Sequence, residues 1–227
     1  MPRLGVLLSC LVLALAACGE DDDGGNGGAE PTPAATEAPA AQAGCEPAEA
    51  PEPKGEGKLE KPGERLERGK TYVATVTTNC GEFEITLDPR DAPVTGGSFK
   101  YLADQGLYDD TTFHRIVAGF VIQGGDPLGN GEGGPGYSVV EAPPGDLVYG
   151  KGVVAMAKTE IEDAGTSGSQ FFVVTAEDAQ LPPQYALLGR VTGGEDVVDK
   201  IAVAETDPAT EQPTEPVVIQ SIEVTEQ

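Results

Sequence analysis

The sequence predicts a mainly β domain with two helices, arranged as an antiparallel barrel or a sandwich. Three observations predict it. Short apolar runs alternate with polar residues at strand spacing, glycine-rich turns separate them, and only two stretches carry a helical pattern. The chain has 227 residues, enough for one ordinary domain and a tail. No Phe or Tyr occurs before Tyr72, and Trp is absent throughout. A core is therefore expected from about residue 66 onward, a span of roughly 160 residues that can bury one core.

The elements follow in order. Residues 72–77 are β-branched and aromatic enough for a strand, and Thr78-Asn79-Cys80-Gly81 is a turn. In residues 82–87, Phe83, Ile85 and Leu87 alternate with polar residues, the mark of a half-buried strand closing a hairpin. Pro93 suits the first turn of a helix running to about Gln105, with Gly106 at its C′ position. Gly96 and Gly97 inside that helix cost about 1 kcal/mol each relative to Ala, so tertiary packing has to hold it. Residues 113–123 read as strand pieces, and 124–136 as a glycine-rich loop. Residues 152–158 and 170–175 are short apolar strands. Residues 194–202 form a second short helix with Val197, Val198 and Ile201 on one side. A last strand spans 217–224, with Val218, Ile222 and Val224 on one face.

Ahead of the domain, Arg3 and the short apolar run 4–17 read as an export signal, too short to span a bilayer. The run ends in Leu15-Ala16-Ala17-Cys18, which resembles the bacterial lipobox. That resemblance implies a signal peptide over 1–17 and a lipid on Cys18. The diacylglyceryl group would supply the two acyl chains that lasting attachment needs. Cys10 leaves with the signal, so Cys45 and Cys80 remain as an even pair in an oxidising compartment, and a disulfide between them is expected. Residues 19–53 hold nine acids and no Lys or Arg among Ala, Gly and Pro. Such a composition cannot bury enough apolar surface to offset its entropy. Residues 18–65 are accordingly expected to be a disordered acidic tether, and 66–227 the folded domain.

The formal net charge of −24 argues against a nucleic-acid partner, whose phosphates need clustered Lys and Arg. It also argues against adsorption to anionic lipid by charge alone. Two Cys with no His nearby are a poor zinc set, and the acids at 20–23 lack the spacing of a calcium loop.

The strongest motif is Phe113-His114-Arg115-Ile116-Val117-Ala118-Gly119-Phe120-Val121-Ile122-Gln123-Gly124-Gly125-Asp126. A second block is Gly168-Ser169-Gln170-Phe171-Phe172-Val173, preceded by Met156-Ala157. A third is Tyr185-Ala186-Leu187-Leu188-Gly189-Arg190-Val191. In this order and spacing, over residues 70–226, they resemble the cyclophilins. The resemblance implies a closed eight-stranded antiparallel barrel capped by two helices. It also implies an enzyme, a peptidyl-prolyl cis/trans isomerase acting on proline-containing polypeptides. A non-catalytic module that binds proline peptides, or a chaperone, is the alternative from the same groove.

The chemistry gives these residue types a reason to stand together. Rotation about an X–Pro bond breaks amide resonance, a barrier of about 18–20 kcal/mol. No bond to substrate is made or cut, so no nucleophile, metal or cofactor is required. What helps is a site that favours the twisted amide over both planar forms. The twisted prolyl nitrogen regains a lone pair and accepts a hydrogen bond, and Arg115 offers a rigid fork of donors. By resemblance Arg115 takes that role, and Gln123 bonds the substrate backbone and steadies the arginine. Phe120, Val121, Phe172 and Leu181 match positions lining the proline pocket, with Phe113 just behind. Ala157, Lys158 and Gln170 match the neighbouring groove, and Tyr185 stands where His is common.

The bland readings are core for Phe113, Phe171 and Phe172 and a surface ion pair for Arg115. His114, the only His, matches a structural position, and Ser169 has no base at triad spacing. Three departures from the family pattern stand out. Gln180 replaces a frequent Trp, which implies weaker cyclosporin-type inhibition. The loop before Gly131 is one residue short, and residues 159–165 add acids beside the groove. Clients stay unnamed by sequence; the default is a lipid-anchored monomer on the extracytoplasmic face of the cell membrane.

Overall fold

A computed structural model describes residues 44–55 and 57–227. The signal peptide, Cys18 and the tether up to residue 43 lie outside the described residues. The elements are β1 (Tyr72–Thr78), β2 (Gly81–Leu87), α1 (Pro93–Asp104), β3 (Thr111–Thr112), β4 (Arg115–Val117), β5 (Val121–Gly124), β6 (Val139–Val140), β7 (Val153–Met156), β8 (Thr166–Ser167), β9 (Phe171–Val174), β10 (Leu187–Gly193), α2 (Glu195–Ala202) and β11 (Val218–Glu226).

Alternation fixes the register of the first hairpin. Tyr72, Ala74 and Val76 of β1 point inward, as do Phe83, Ile85 and Leu87 of β2. A slip of one residue would turn either set to solvent. The main sheet has nine strands in the order β3-β11-β1-β2-β10-β7-β9-β5-β4, and β6 and β8 pair separately. All its pairings are antiparallel. The sheet curls into a half-barrel around the core, with two helices, so the fold is mainly β as expected. The structure departs from the expected ring of eight strands. The stretch 111–124 breaks into three short strands, and the ladder has no pairing between its end strands β3 and β4. One isolated bridge, Thr112 to Asp126, lies near that seam.

The concave side holds the larger core. Phe171 stands at its centre, meeting Phe99, Tyr108 and Phe113 edge-on at 5.7, 5.9 and 6.0 Å between ring centroids. α2 closes one end with Val197, Val198 and Ile201 buried, acids in its first turn and Lys200 in its last, as its dipole favours. α1 has no side-chain cap of its own at Ala92. Glu141 supplies one from a distance: its Oε2 accepts from Val94 N at 2.9 Å and Thr95 N at 2.7 Å. The carboxylate satisfies two orphan donors and sits at the positive end of the helix.

The domain begins earlier than the sequence implied. Residues 44–65 are not a free tether; the described part lies along the domain as an extended strap. A Cys45–Cys80 disulfide joins it to the β1–β2 turn. Backbone bonds then pin it in succession: Glu46 N to Asn79 O, Lys54 N to Pro127 O, Gly57 N to Gly134 O, Leu59 N to Pro135 O and Leu66 N to Pro93 O. Leu66 is buried in the core and Leu59 packs against it. Composition cannot reveal such a segment, because its order comes from backbone bonds and one covalent link rather than from an apolar face.

The strap also explains the two glycines of α1. A Cβ on Gly97 would stand 2.6 Å from Glu64 O and 2.8 Å from Arg65 Cα, and one on Gly96 would strike the Leu66 side chain. Gly97→Ala would gain about 1 kcal/mol of helix propensity but drive a methyl into backbone, where overpacking costs about 1–3 kcal/mol. The expected outcome is a lower melting temperature and faster proteolysis near residue 64. A raised melting temperature would show that the strap yields freely.

Candidate active site

Register builds the site. In β4 and β5 Arg115 stands opposite Gln123, in β5 and β9 Gln123 stands opposite Phe172, and in β9 and β7 Phe172 stands opposite Ala155. Residues directly opposite in antiparallel strands share a face. Arg115, Gln123 and Phe172 therefore form one row on the convex face of the sheet. Their chain neighbours Ile116, Ile122, Phe171 and Val173 point into the main core. A second apolar cluster backs the row: Val121, Val153, Ala155, Phe172, Val174, Leu187 and Tyr149.

Around this row lies a cleft of about 160 Å³ lined by Arg115, Phe120, Val121, Gln123, Ala157, Lys158, Phe172, Leu181 and Tyr185. Pockets for drug-sized ligands run to roughly 300–1,000 Å³, so this one takes a single side chain or ring. A groove of about 730 Å³ adjoins it, sharing Gln123, Ala157 and Lys158 and adding Gln170 and the loop 131–138. A small apolar notch beside a longer, polar groove fits one ring of an extended chain.

Tyr185 meets Phe172 edge-on at 5.5 Å and Tyr149 edge-on at 6.0 Å. Tyr149 is the hidden support. Its hydroxyl donates to Tyr185 O at 2.6 Å and accepts from Tyr185 N at 3.1 Å, and burial pushes its phenol up to about 12. Lys158 Nζ donates to Thr159 O at 2.9 Å and Glu162 O at 3.0 Å, and lies 5.7 Å from the Tyr185 ring centroid. Its ammonium thereby ties down the acidic insertion, while Ala157 N bonds Gln170 O at 2.8 Å.

A polar chain runs through the row. Arg115 Nε donates to Glu211 Oε2 at 2.6 Å. Arg115 Nη1 lies 3.5 Å from Gln123 Oε1. Gln123 Nε2 donates to Gln170 Oε1 at 3.0 Å, and Gln170 Nε2 donates to Gly131 O and Gly133 O, both at 2.9 Å. Arg115 thus does make the surface ion pair that its bland reading called for, yet its guanidinium still lines the cleft. The ion pair engages Nε, and Nη1 makes only the long contact to Gln123.

Most residues named from the sequence converge here. Gln170 sits in the groove rather than the cleft. Phe113 does not line the cleft: its ring is fully buried on the core side of the sheet against Phe83 and Phe171, so it cannot touch a substrate directly. His114 is buried with no partner for either ring nitrogen among the described residues, and burial lowers its pKa. Tyr149, Glu211 and Glu141 were missing from the sequence reading. No local pattern marks them, because each acts on a residue 36 to 96 positions away.

No cluster of three or more potential metal ligands occurs among the described residues, and none of their helices is long and apolar enough to cross a membrane.

Comparison with known proteins agrees with this geometry. Residues 73–224 match the model of the family described as cyclophilin type peptidyl-prolyl cis-trans isomerase/CLD. A peptidyl-prolyl cis-trans isomerase B from Streptomyces anulatus is 42% identical over 169 residues, covering 66% of this chain and 95% of that protein. The crystal structure of a cyclophilin type peptidyl-prolyl cis-trans isomerase from Cryptosporidium parvum superposes with a TM-score of 0.64 at 29% identity, covering 69% of this chain and 99% of that one. A second crystal structure of the Cryptosporidium protein, in the presence of the dipeptide Ala-Pro, gives a TM-score of 0.63 at 29% identity, covering 68% and 99%. The chain belongs to the cyclophilin-type peptidyl-prolyl cis-trans isomerases.

Proposed function

We propose that the protein accelerates rotation of X–Pro bonds in exported polypeptides, from a lipid-anchored position on the outer face of the cell membrane. One observation carries the catalytic half: a guanidinium held at Nε by Glu211, with Nη1 in only a long contact to Gln123, lines an apolar notch sized for a single ring. Phe120, Val121, Phe172 and Leu181 hold the prolyl ring by burial. Tyr185, Gln123 and the groove bearing Ala157, Lys158 and Gln170 hold the chain that precedes it. With the ring fixed, the carbonyl side of the bond rotates, and Arg115 donates to the nitrogen as resonance is lost. That contact exists only in the twisted state, so it lowers the barrier rather than merely tightening binding.

The Cys45–Cys80 disulfide supports the exported setting, since such bonds persist in oxidising compartments. Leu15-Ala16-Ala17-Cys18 supports the lipid anchor. The test uses full chain, in detergent, on a secreted protein whose refolding is limited by proline isomerisation. The slow phase should quicken in proportion to enzyme added. Binding of the unfolded client without any quickening would instead mark a binding or chaperone module. Cys18→Ser should move the protein from the membrane to the soluble extracytoplasmic fraction; continued membrane association would remove the anchor from the account.

A further inference from the structure

We infer that Glu211 is the positioning residue of this site: its carboxylate, not the amide of Gln123, sets the orientation of the Arg115 guanidinium. The inference rests on the reading of Arg115 as the donor to the twisted amide.

The distances decide between the two candidate orienters. Arg115 Nε to Glu211 Oε2 is 2.6 Å, the range of a strong charge-assisted bond. Arg115 Nη1 to Gln123 Oε1 is 3.5 Å, at the outer limit of a hydrogen bond. Gln123 makes its firm bond through Nε2, donating to Gln170 at 3.0 Å, and its Oε1 reaches Arg115 only by the long contact. The nitrogen that Glu211 takes matters as well. Nε sits on the stem side of the guanidinium, so holding it fixes the plane of the fork while the outer nitrogens carry nothing stronger than the long Nη1 contact to Gln123.

An Arg on a three-residue strand at the end of a sheet has several rotamers open to it. Its side chain is 34% exposed and that of Glu211 is 44% exposed. A pair so open to water adds little to stability, so its consequence lies in where the guanidinium points.

The loop that presents Glu211 is built for the purpose. Glu211 has φ +60°, a left-handed conformation that Glu adopts rarely. Such strain persists only where the surroundings over-determine it, and here they do. Glu211 N donates to Asp207 O at 2.8 Å, and Glu211 O accepts from Ile116 N at 2.9 Å. That second bond pins the glutamate to β4 at the residue after Arg115. Asp207 Oδ1 accepts from Ala209 N at 2.7 Å and Thr210 N at 3.2 Å, and Thr214 N closes the loop on Glu205 O at 2.8 Å. The strained residue, its backbone anchor and its ion pair all converge on one side chain.

The test is a double-mutant cycle on the full chain, reading kcat/KM for a proline peptide and the Kd of that peptide separately. Glu211→Ala should lower kcat/KM about tenfold, the factor that 1.36 kcal/mol of barrier makes, with Kd changed less than twofold. Glu211→Gln, which keeps an acceptor for Nε, should recover most of the loss. In an Arg115→Ala background Glu211→Ala should change nothing further. The Nε–H resonance of Arg115 supplies a reading that needs no substitution: it should be sharp and protected from exchange in the unaltered protein. Full activity in Glu211→Ala, or the same loss with and without Arg115, overturns the inference while leaving the role of Arg115 intact. Undiminished activity in Arg115→Ala overturns both.

Discussion

Replacing Arg115 with alanine is expected to cut kcat/KM for prolyl isomerisation by about 10²-fold while leaving peptide affinity and melting temperature nearly unchanged. The magnitude follows from the kind of interaction lost. Removing one donor aimed at transition-state charge typically costs about 2.7–4 kcal/mol, or roughly 10²–10³ in rate. Arg115 is a third exposed, so water screens it and the low end applies. Affinity survives because the ring is held by Phe120, Val121, Phe172 and Leu181, none of which depends on the guanidinium. Stability survives because the lost ion pair is exposed. Arg115→Lys should fall between, since an ammonium is a point charge without the fork that lets one nitrogen meet Glu211 and another meet substrate. Steady-state kinetics with a thermal melt of each variant check this. A tenfold loss of affinity at unchanged kcat would assign Arg115 to binding.

Breaking the disulfide is expected to have the largest effect on stability. Cys45 and Cys80 are separated by 35 positions, a loop for which the chain-entropy model gives about 4 kcal/mol. At roughly 2–4 °C per kcal/mol for a domain of this size, Cys45→Ala should lower the melting temperature by about 8–16 °C. The loss is concentrated at the start of the strap, where Glu46 N bonds Asn79 O and Glu46 O accepts from Asn79 Nδ2 at 2.7 Å. The cleft lies on a different part of the sheet, so kcat/KM should hold at temperatures well below the melt. A thermal melt with and without reductant measures the effect. Identical curves would mean that the strap keeps its place by backbone bonds alone.

Much of the fold was legible because period and punctuation are local. The hairpin 72–87, the helix entered at Pro93 and the last strand follow from alternation, a proline and a glycine read within a few residues. The cleft was legible only through the resemblance, since nothing in a single strand says that Arg115, Gln123 and Phe172 will line up across three of them. Register makes that row, and register is a property of pairs. The strap misled for the opposite reason. Its composition is that of a free tether; the cysteine pair foretells its one covalent link, but the backbone contacts beyond that link are not encoded in composition. Strand alternation puts Phe113 on the same face as Arg115, two residues on, but the chain leaves the strand at 113–114, between β3 and β4, and that break lets the Phe113 ring turn into the core. Glu211 and Tyr149 were invisible because their partners are far along the chain and their own neighbourhoods are ordinary loop and strand edge.

The most direct measurement is exchange spectroscopy by NMR on a proline peptide held at saturation by the full chain. Uncatalysed interconversion takes tens to hundreds of seconds. The account predicts that cis and trans forms of the bound peptide interconvert many times per second, and that Arg115→Ala slows this exchange without emptying the site. A bound peptide whose two forms exchange no faster than in free solution would contradict it.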